Sequence, residues 1–566
     1  MGADSVALGA RAGARLPGVA SGEGEGGFSV WPAMIRALRG RLALASLASL
    51  VGGGASTGLV VLINQALHAP DPAEAGRLAV FAATSVAAAG GLVVSRALFA
   101  DLGQRSLADL RRAIAERVQA APFGRLEAVG SARIQALVAE DSNQIANLLV
   151  ALPILVTNGV IVVSTLAYLA ILSVPLFLAS LVVIGLGAAG YSVCYGRVGT
   201  HLAQAGREQD QLFQHFLALG AGAKELRLNR GKARRFLDEI LARAVDGLAH
   251  HRSRGLAILA VAGGWGRLLF LALIGMTLFL PLGGARDPAV TTGYVVAFLY
   301  LMGPLEAVLS TMPLIGMARV GAARIAATFA DLPPEPTGVV GQASRTATVT
   351  LAGLTHRMRD AGTGDSFVLG PVDLVLSPGQ TTFLVGGNGC GKTTLAKVVA
   401  GLYAPEAGSL ALDGHPVTEA GRAAFRQHVS AVFSDFHLFE TLLETPSPDL
   451  DARARAWLAL LGLDGRVTVR DGRFSTRDLS TGQRKRLALV AACLEDRPVM
   501  IFDEWAADQD PAFRAVFYDT ILPELRARGK TLLVITHDDR YFDRADQLVK
   551  LDRGTIVGRD RAEAAR

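Results

Sequence analysis

Gly386-Gly387-Asn388-Gly389-Cys390-Gly391-Lys392-Thr393-Thr394 follows an apolar run, Thr382-Phe383-Leu384-Val385, and precedes the helical pattern LAKVVAGLY. The spacing is G-x-x-x-x-G-K-[ST] in the strand, loop and helix setting that a phosphate cradle requires. Glycines let successive backbone N–H groups converge on phosphate oxygens at a helix N-terminus. Lys392 is placed to reach the β- and γ-phosphates of a nucleotide, and the Thr393 hydroxyl to hold Mg²⁺. A plain Gly-rich turn before a helix is the bland alternative, and it leaves the Lys-Thr-Thr register unexplained.

A second apolar strand, Val499-Met500-Ile501-Phe502, ends in Asp503 and Glu504. Asp503 suits an outer-sphere or water-mediated Mg²⁺ contact, and Glu504 is placed to polarise an attacking water as general base. Paired acids also occur on solvated strand ends, so their position downstream of a phosphate loop carries the weight. Between these elements Leu479-Ser480-Thr481-Gly482-Gln483 opens a basic helix, RKRLALVAACLE, where Ser and Thr are ordinary N-caps. Downstream, Thr531-Leu532-Leu533-Val534-Ile535 is a buried strand running into Thr536-His537, whose imidazole either reaches a γ-phosphate oxygen or is structural.

These residues occupy the last part of the chain, and the rest has a different character. Of 566 residues, 51% are hydrophobic and only 19% charged, against about 25% charged in soluble domains. A membrane-crossing helix needs about 20 apolar residues. Six stretches qualify, at 42–64, 78–99, 148–172, 174–196, 256–280 and 292–316. Ser173-Val174-Pro175 is so short a connection that the third and fourth must form a tight hairpin. The loop 101–147 carries six Arg and 197–255 carries eleven Lys or Arg, whereas 65–77 and 281–291 carry one Arg each. The long basic loops and both termini are therefore expected on the cytoplasmic side. Helical patterning in both loops predicts membrane helices that extend well into the cytosol.

Residues 1–30 are expected to be a disordered cytosolic tail, 31–330 the six-helix membrane domain, 331–346 a Pro-marked linker, and 347–566 a soluble α/β domain. The net charge of +6 fits positive cytoplasmic loops better than a nucleic-acid surface, so no nucleic-acid partner is expected. Three scattered cysteines exclude a disulfide framework and zinc spacing.

The four motifs in this order resemble an ATP-binding cassette, and the preceding helices resemble the type IV exporter fold, over about residues 35–560. A narrower resemblance, to the cyclic-peptide and siderophore export subfamily, rests on Asp503-Glu504-Trp505-Ala506-Ala507-Asp508-Gln509-Asp510-Pro511, on His537-Asp538-Asp539-Arg540-Tyr541-Phe542, and on Gly222-Ala223-Lys224-Glu225-Leu226-Arg227-Leu228-Asn229. The resemblance implies a half-transporter with ATP and Mg²⁺ as cofactors. Gly386 to Thr394 would bind ATP, Glu504 and His537 would be catalytic, and Thr393, Asp503 and Ser434 would contact Mg²⁺. Ser480, Thr481, Gly482 and Gln483 would be the signature that contacts ATP on the other subunit, with Asp510 ending the D-loop.

Two departures accompany it. Ser434, followed by Asp435, stands where a Gln is usual, and the adenine-stacking aromatic falls near Met358, with His356 and Phe367 as substitutes. One cassette per chain implies a homodimer in lipid, and the resemblance implies that it exports a peptide-like product across the bacterial plasma membrane by alternating access. A lipid or lipid-linked flippase of the same architecture is the alternative.

Two charges fall outside the resemblance: Arg267 in the fifth membrane segment and Glu306 in the sixth. A charge near mid-membrane costs about 2.5 to 3.5 kcal/mol on insertion scales. The pair is expected at matching depth, either as a helix-to-helix ion pair or as the lining of an inward-facing cavity, with Arg267 snorkelling to the interface as a third option.

Overall fold

The computed structural model describes residues 30–68, 75–279, 287–336, 338, 346–359, 366–444 and 447–561, with the side chains of 30–38, 359, 366 and 561 excepted. The expected tail (residues 1–29 of it) and most of the expected linker lie outside the described residues. The chain divides into two compact units, one holding residues up to Ile114 and Gln135–Ala326, the other Ala115–Ile134 and the chain from Ala327 onward.

In the first unit six helices are long and apolar enough to cross a membrane: Arg39–Leu67, Ala75–Ala120, Ser131–Leu172, Val174–Ala221, Arg230–Phe279 and Pro288–Asp331. Apolar side chains gain little by leaving lipid for one another, so these helices associate through small residues and buried hydroxyls. A Cβ on Gly91 would sit 2.7 Å from the Cα of Gly52, so the first two helices touch backbone to backbone. The Ser49 and Ser95 hydroxyls meet at 2.5 Å beside them. Thr57 and Ser164 meet at 2.6 Å, and Asn64 donates to the Tyr168 hydroxyl at 2.9 Å, joining the first helix to the third.

The hairpin at Ser173 forms because that residue is extended, with φ −164°. The Tyr294 hydroxyl donates at the carbonyls of Leu169 (2.6 Å) and Ser173 (2.7 Å), which also accept the backbone N–H groups of Ser173 and Phe177, and so ties the sixth helix to the hairpin. Pro313 lies inside the sixth helix and removes the N–H that would bond Leu309. Tyr191 of the fourth helix donates its hydroxyl to that same Leu309 carbonyl at 3.1 Å.

In the second unit a six-stranded sheet runs in the order Thr555–Arg561, Gln547–Asp552, Thr381–Val385, Thr531–Ile535, Val499–Asp503, Val429–Val432. All pairs are parallel except the first. The three central strands are buried at every residue, as their unbroken apolar runs require of a sheet covered on both faces. Ile535 is in register with Leu384 on one side and Asp503 on the other. The phosphate loop, the paired acids and Thr536-His537 therefore leave the sheet together at its carboxyl edge, where open α/β sheets place their ligand sites. An antiparallel sheet of Ser366–Leu376, Val349–Arg359, Ala407–Leu412 and His415–Pro416 completes the unit with the helix Pro448–Leu460.

Candidate functional site

The helix Lys392–Val399 begins at Gly391, whose φ of 102° no L side chain adopts readily. A Cβ there would also meet the Phe367 ring at 2.7 Å. Lys392 is buried, and its Nζ donates to the carbonyls of Gly386 (3.0 Å) and Gly387 (2.9 Å). The ammonium is thus fixed against the carbonyls of the loop.

Asp503 is 1% exposed. Its Oδ2 accepts from the Thr393 hydroxyl at 3.0 Å and from the Ser434 hydroxyl at 3.4 Å. Its Oδ1 is buried with no hydrogen-bond partner among the described residues. A carboxylate oxygen left unpaired beside two hydroxyls is a fitting donor set for a hard divalent cation such as Mg²⁺. Burial pushes the Asp503 carboxyl above its usual range and the Glu504 charge adds to this, while the Thr393 and Ser434 bonds oppose it.

Glu504 sits in the left-handed region, φ 50° and ψ 34°, at the turn out of its strand. A non-glycine residue there is strained, a condition that persists where surrounding bonds fix it. Its N–H donates to the Ile535 carbonyl at 3.1 Å and its own carbonyl accepts from Lys485 Nζ at 3.2 Å. The side chain is thereby aimed at His537, with Nε2 2.9 Å from Glu504 Oε1. Both side chains remain partly exposed and line a cavity of about 270 Å³ with Arg514, Tyr518 and Asp538. Desolvation pushes the Tyr518 phenol up to about 12, and its hydroxyl lies 2.7 Å from that of Thr536.

Ser480 caps the helix Thr481–Leu494 through a reciprocal capping box with Gln483. Gln509 Nε2 donates to the Gly482 carbonyl at 3.1 Å, and Trp505 Nε1 to the Lys485 carbonyl at 2.8 Å. Asp510 accepts from the N–H groups of Ala512 and Phe513, both at 3.1 Å, as the cap of the following helix. Lys485 is the residue the sequence reading passed over. It sits in Arg484-Lys485-Arg486, which reads as a solvated basic face, yet Lys485 and Arg486 are buried.

Met358 and Phe367 are register partners across two antiparallel strands, and both pack on the same core cluster. His356 instead stacks on Tyr403, with ring centroids 4.9 Å apart. The Tyr403 hydroxyl bonds Glu127, whose carboxylate also pairs with Lys397 Nζ at 3.0 Å. Burial raises the Tyr403 phenol, and the charges of Glu127 and Asp435 add to this. The Asp435 charge is thus felt at Tyr403, while it is Ser434 that bonds Asp503.

In the membrane unit Arg267 and Glu306 line one cavity of about 260 Å³. Among the described residues no ion pair or side-chain hydrogen bond joins either group to a partner.

Residues 369–507 match the family described as ABC transporter. The chain is 36% identical over 531 residues to the ATP-binding protein SyrD of Pseudomonas syringae pv. syringae, covering 90% of this chain and 93% of that protein. It is 28% identical over 481 residues to the ATP-dependent lipid A-core flippase of Alkalilimnicola ehrlichii, covering 81% and 79%. A bacterial Atm1-family ABC exporter with ATP bound superposes with a TM-score of 0.73 at 17% identity, over 93% of this chain and 95% of that one.

Proposed function

The chain belongs to the ATP-binding cassette transporter family, with the fold of a type IV exporter half-transporter, and from that premise we propose that it works as a homodimer exporting a peptide-type product across the bacterial plasma membrane, driven by ATP hydrolysis. The observation that carries the ATPase half of this reading is the convergence of Lys392, Thr393, Asp503, Glu504 and His537 at one sheet edge, with Glu504 bonded to His537. Lys392 and the loop N–H groups bind the phosphates. Thr393, Ser434 and Asp503 would hold Mg²⁺, which when bound neutralises charge on the β- and γ-phosphate oxygens. Glu504 takes the proton of the attacking water, and His537 orients Glu504 and the γ-phosphate.

The signature turn Ser480 to Gln483 acts on ATP held by a second copy, so each site needs two chains. ATP drawn between the two cassettes favours the outward-open state, and hydrolysis resets it. The peptide-type substrate is supported by the run Glu504-Trp505-Ala506-Ala507-Asp508-Gln509-Asp510 and by a membrane cavity with charges of both signs. Cassettes and termini on the cytoplasmic side follow from the basic loops.

The test is reconstitution into lipid vesicles, with ATP supplied to the cassette side. A labelled amphipathic peptide is expected to accumulate inside while headgroup-labelled phospholipid keeps its distribution. Lipid redistribution without peptide accumulation would assign the chain to the flippases.

A further inference from the structure

The cavity that holds Arg267 and Glu306 is built by three helices of the membrane unit. Tyr191 comes from the fourth, Arg267 and Phe270 from the fifth, and Glu306 and Ser310 from the sixth. Its wall is mostly apolar and is held in place. Phe270 is buried with its ring edge-on to Phe298, and the Tyr191 hydroxyl is bonded to the backbone of the sixth helix. Into this apolar space project one guanidinium and one carboxylate with no ion-pair partner among the described residues. Ionisable groups inside apolar helices are costly unless something meets them. Two opposite charges that share a cavity without pairing are available to a ligand carrying both signs.

Resting on the peptide-export reading, we propose that this cavity is a recognition subsite for the zwitterionic part of an amphipathic peptide. Arg267 takes a carboxylate in its planar fork. Glu306 takes a primary amine of the same molecule, and the wall takes an apolar side chain. The single acid argues against a multiply phosphorylated lipid head without a free amine, which would bring several negative charges toward Glu306 and no cation to offset them.

Gly263 and Gly266 line the same cavity, and a Cβ on either meets nothing within 4 Å. A side chain at Gly266 therefore begins in open space on the cavity wall.

The test uses the purified full-length protein in lipid nanodiscs and a fluorescent amphipathic peptide with one free carboxylate and one primary amine. Two companions are the same peptide amidated at its carboxylate and the same peptide acetylated at its amine. Wild type should prefer the intact peptide by about tenfold or more over each companion, the range for one charged hydrogen bond. In Arg267→Met the intact and amidated peptides should bind alike, and in Glu306→Gln the intact and acetylated ones should. Gly266→Leu should weaken all three.

Each variant is checked for a wild-type melting profile and ATP affinity. Should a single variant fail that check, the charge-swapped pair Arg267→Glu with Glu306→Arg replaces it, and that pair should keep the preference for the intact peptide. Equal binding of the three peptides by folded wild type, or unchanged discrimination in folded variants, overturns the subsite. Phosphatidylethanolamine displacing the peptide from wild type at equal concentration also overturns it, in favour of a lipid headgroup. Peptide transport that continues in vesicles while discrimination is absent removes this inference alone. Absence of any ATP-driven peptide movement removes the reading on which it rests.

Discussion

Lys485 Nζ lies 2.6 Å from Asp508 Oδ2, on a side chain only 6% exposed, and the same ammonium bonds the carbonyl of Glu504 at 3.2 Å. The helix that opens at Ser480 is thus tied to the backbone of Glu504, the proposed general base, in the same chain. Lys485→Met should lower the maximal ATPase rate by about tenfold with ATP affinity within a few-fold of wild type, since small misplacements of reacting groups cost up to 10²-fold. Lys485→Arg should restore part of the rate, and the split between rate and affinity is read from single-turnover hydrolysis beside equilibrium ATP binding. A variant that loses affinity and rate together would mean that Lys485 serves only to hold the domain's fold.

Asp503 offers a test with an opposite sign for stability and for function. Burial raises its carboxyl above the usual aspartate range, so at neutral pH the ionised side chain favours the unfolded state when no cation is bound. Asp503→Asn should therefore raise the melting temperature in chelator while abolishing the further rise produced by Mg²⁺ and ATP. As pH falls toward the raised value, the wild-type protein should lose Mg²⁺-dependent stabilisation at a higher pH than an ordinary aspartate would allow. Thermal unfolding across pH, with and without Mg²⁺, checks both expectations.

The register pair Met358 and Phe367 makes the base contact addressable. Met358→Tyr should tighten ATP binding by adding a stacking face, and Phe367→Ala should weaken it because that ring backs Gly391. A null result at Met358 with a loss at Phe367 would give the adenine contact to Phe367. Fluorescent-nucleotide titration reads both.

The convergence of the cassette motifs was legible because the phosphate loop, the paired acids and Thr536-His537 each follow an apolar strand. Parallel pairing of the strands ending at Val385, Asp503 and Ile535 then leaves the turns no other place to meet. The six membrane helices were legible for the same reason of length and polarity. What the chain order concealed was partnership across distance. Lys485 reads as surface until Asp508 and Glu504 are folded over it, and Glu127 reads as one acid among many in a basic loop until Lys397 and Tyr403 close on it. The Arg267 and Glu306 pair shows the converse, since opposite charges on adjacent helices suggest an ion pair and the helices direct both into a cavity instead.

The most direct measurement compares wild type with Glu504→Gln in one vesicle preparation, following ATP hydrolysis and peptide accumulation together. Glu504 is the only group here assigned to take the proton of the attacking water. The variant should bind ATP as wild type does, hydrolyse it at least about 10²-fold more slowly, and fail to accumulate peptide beyond a single turnover. Hydrolysis within a few-fold of wild type, or sustained accumulation by the variant, would contradict the account.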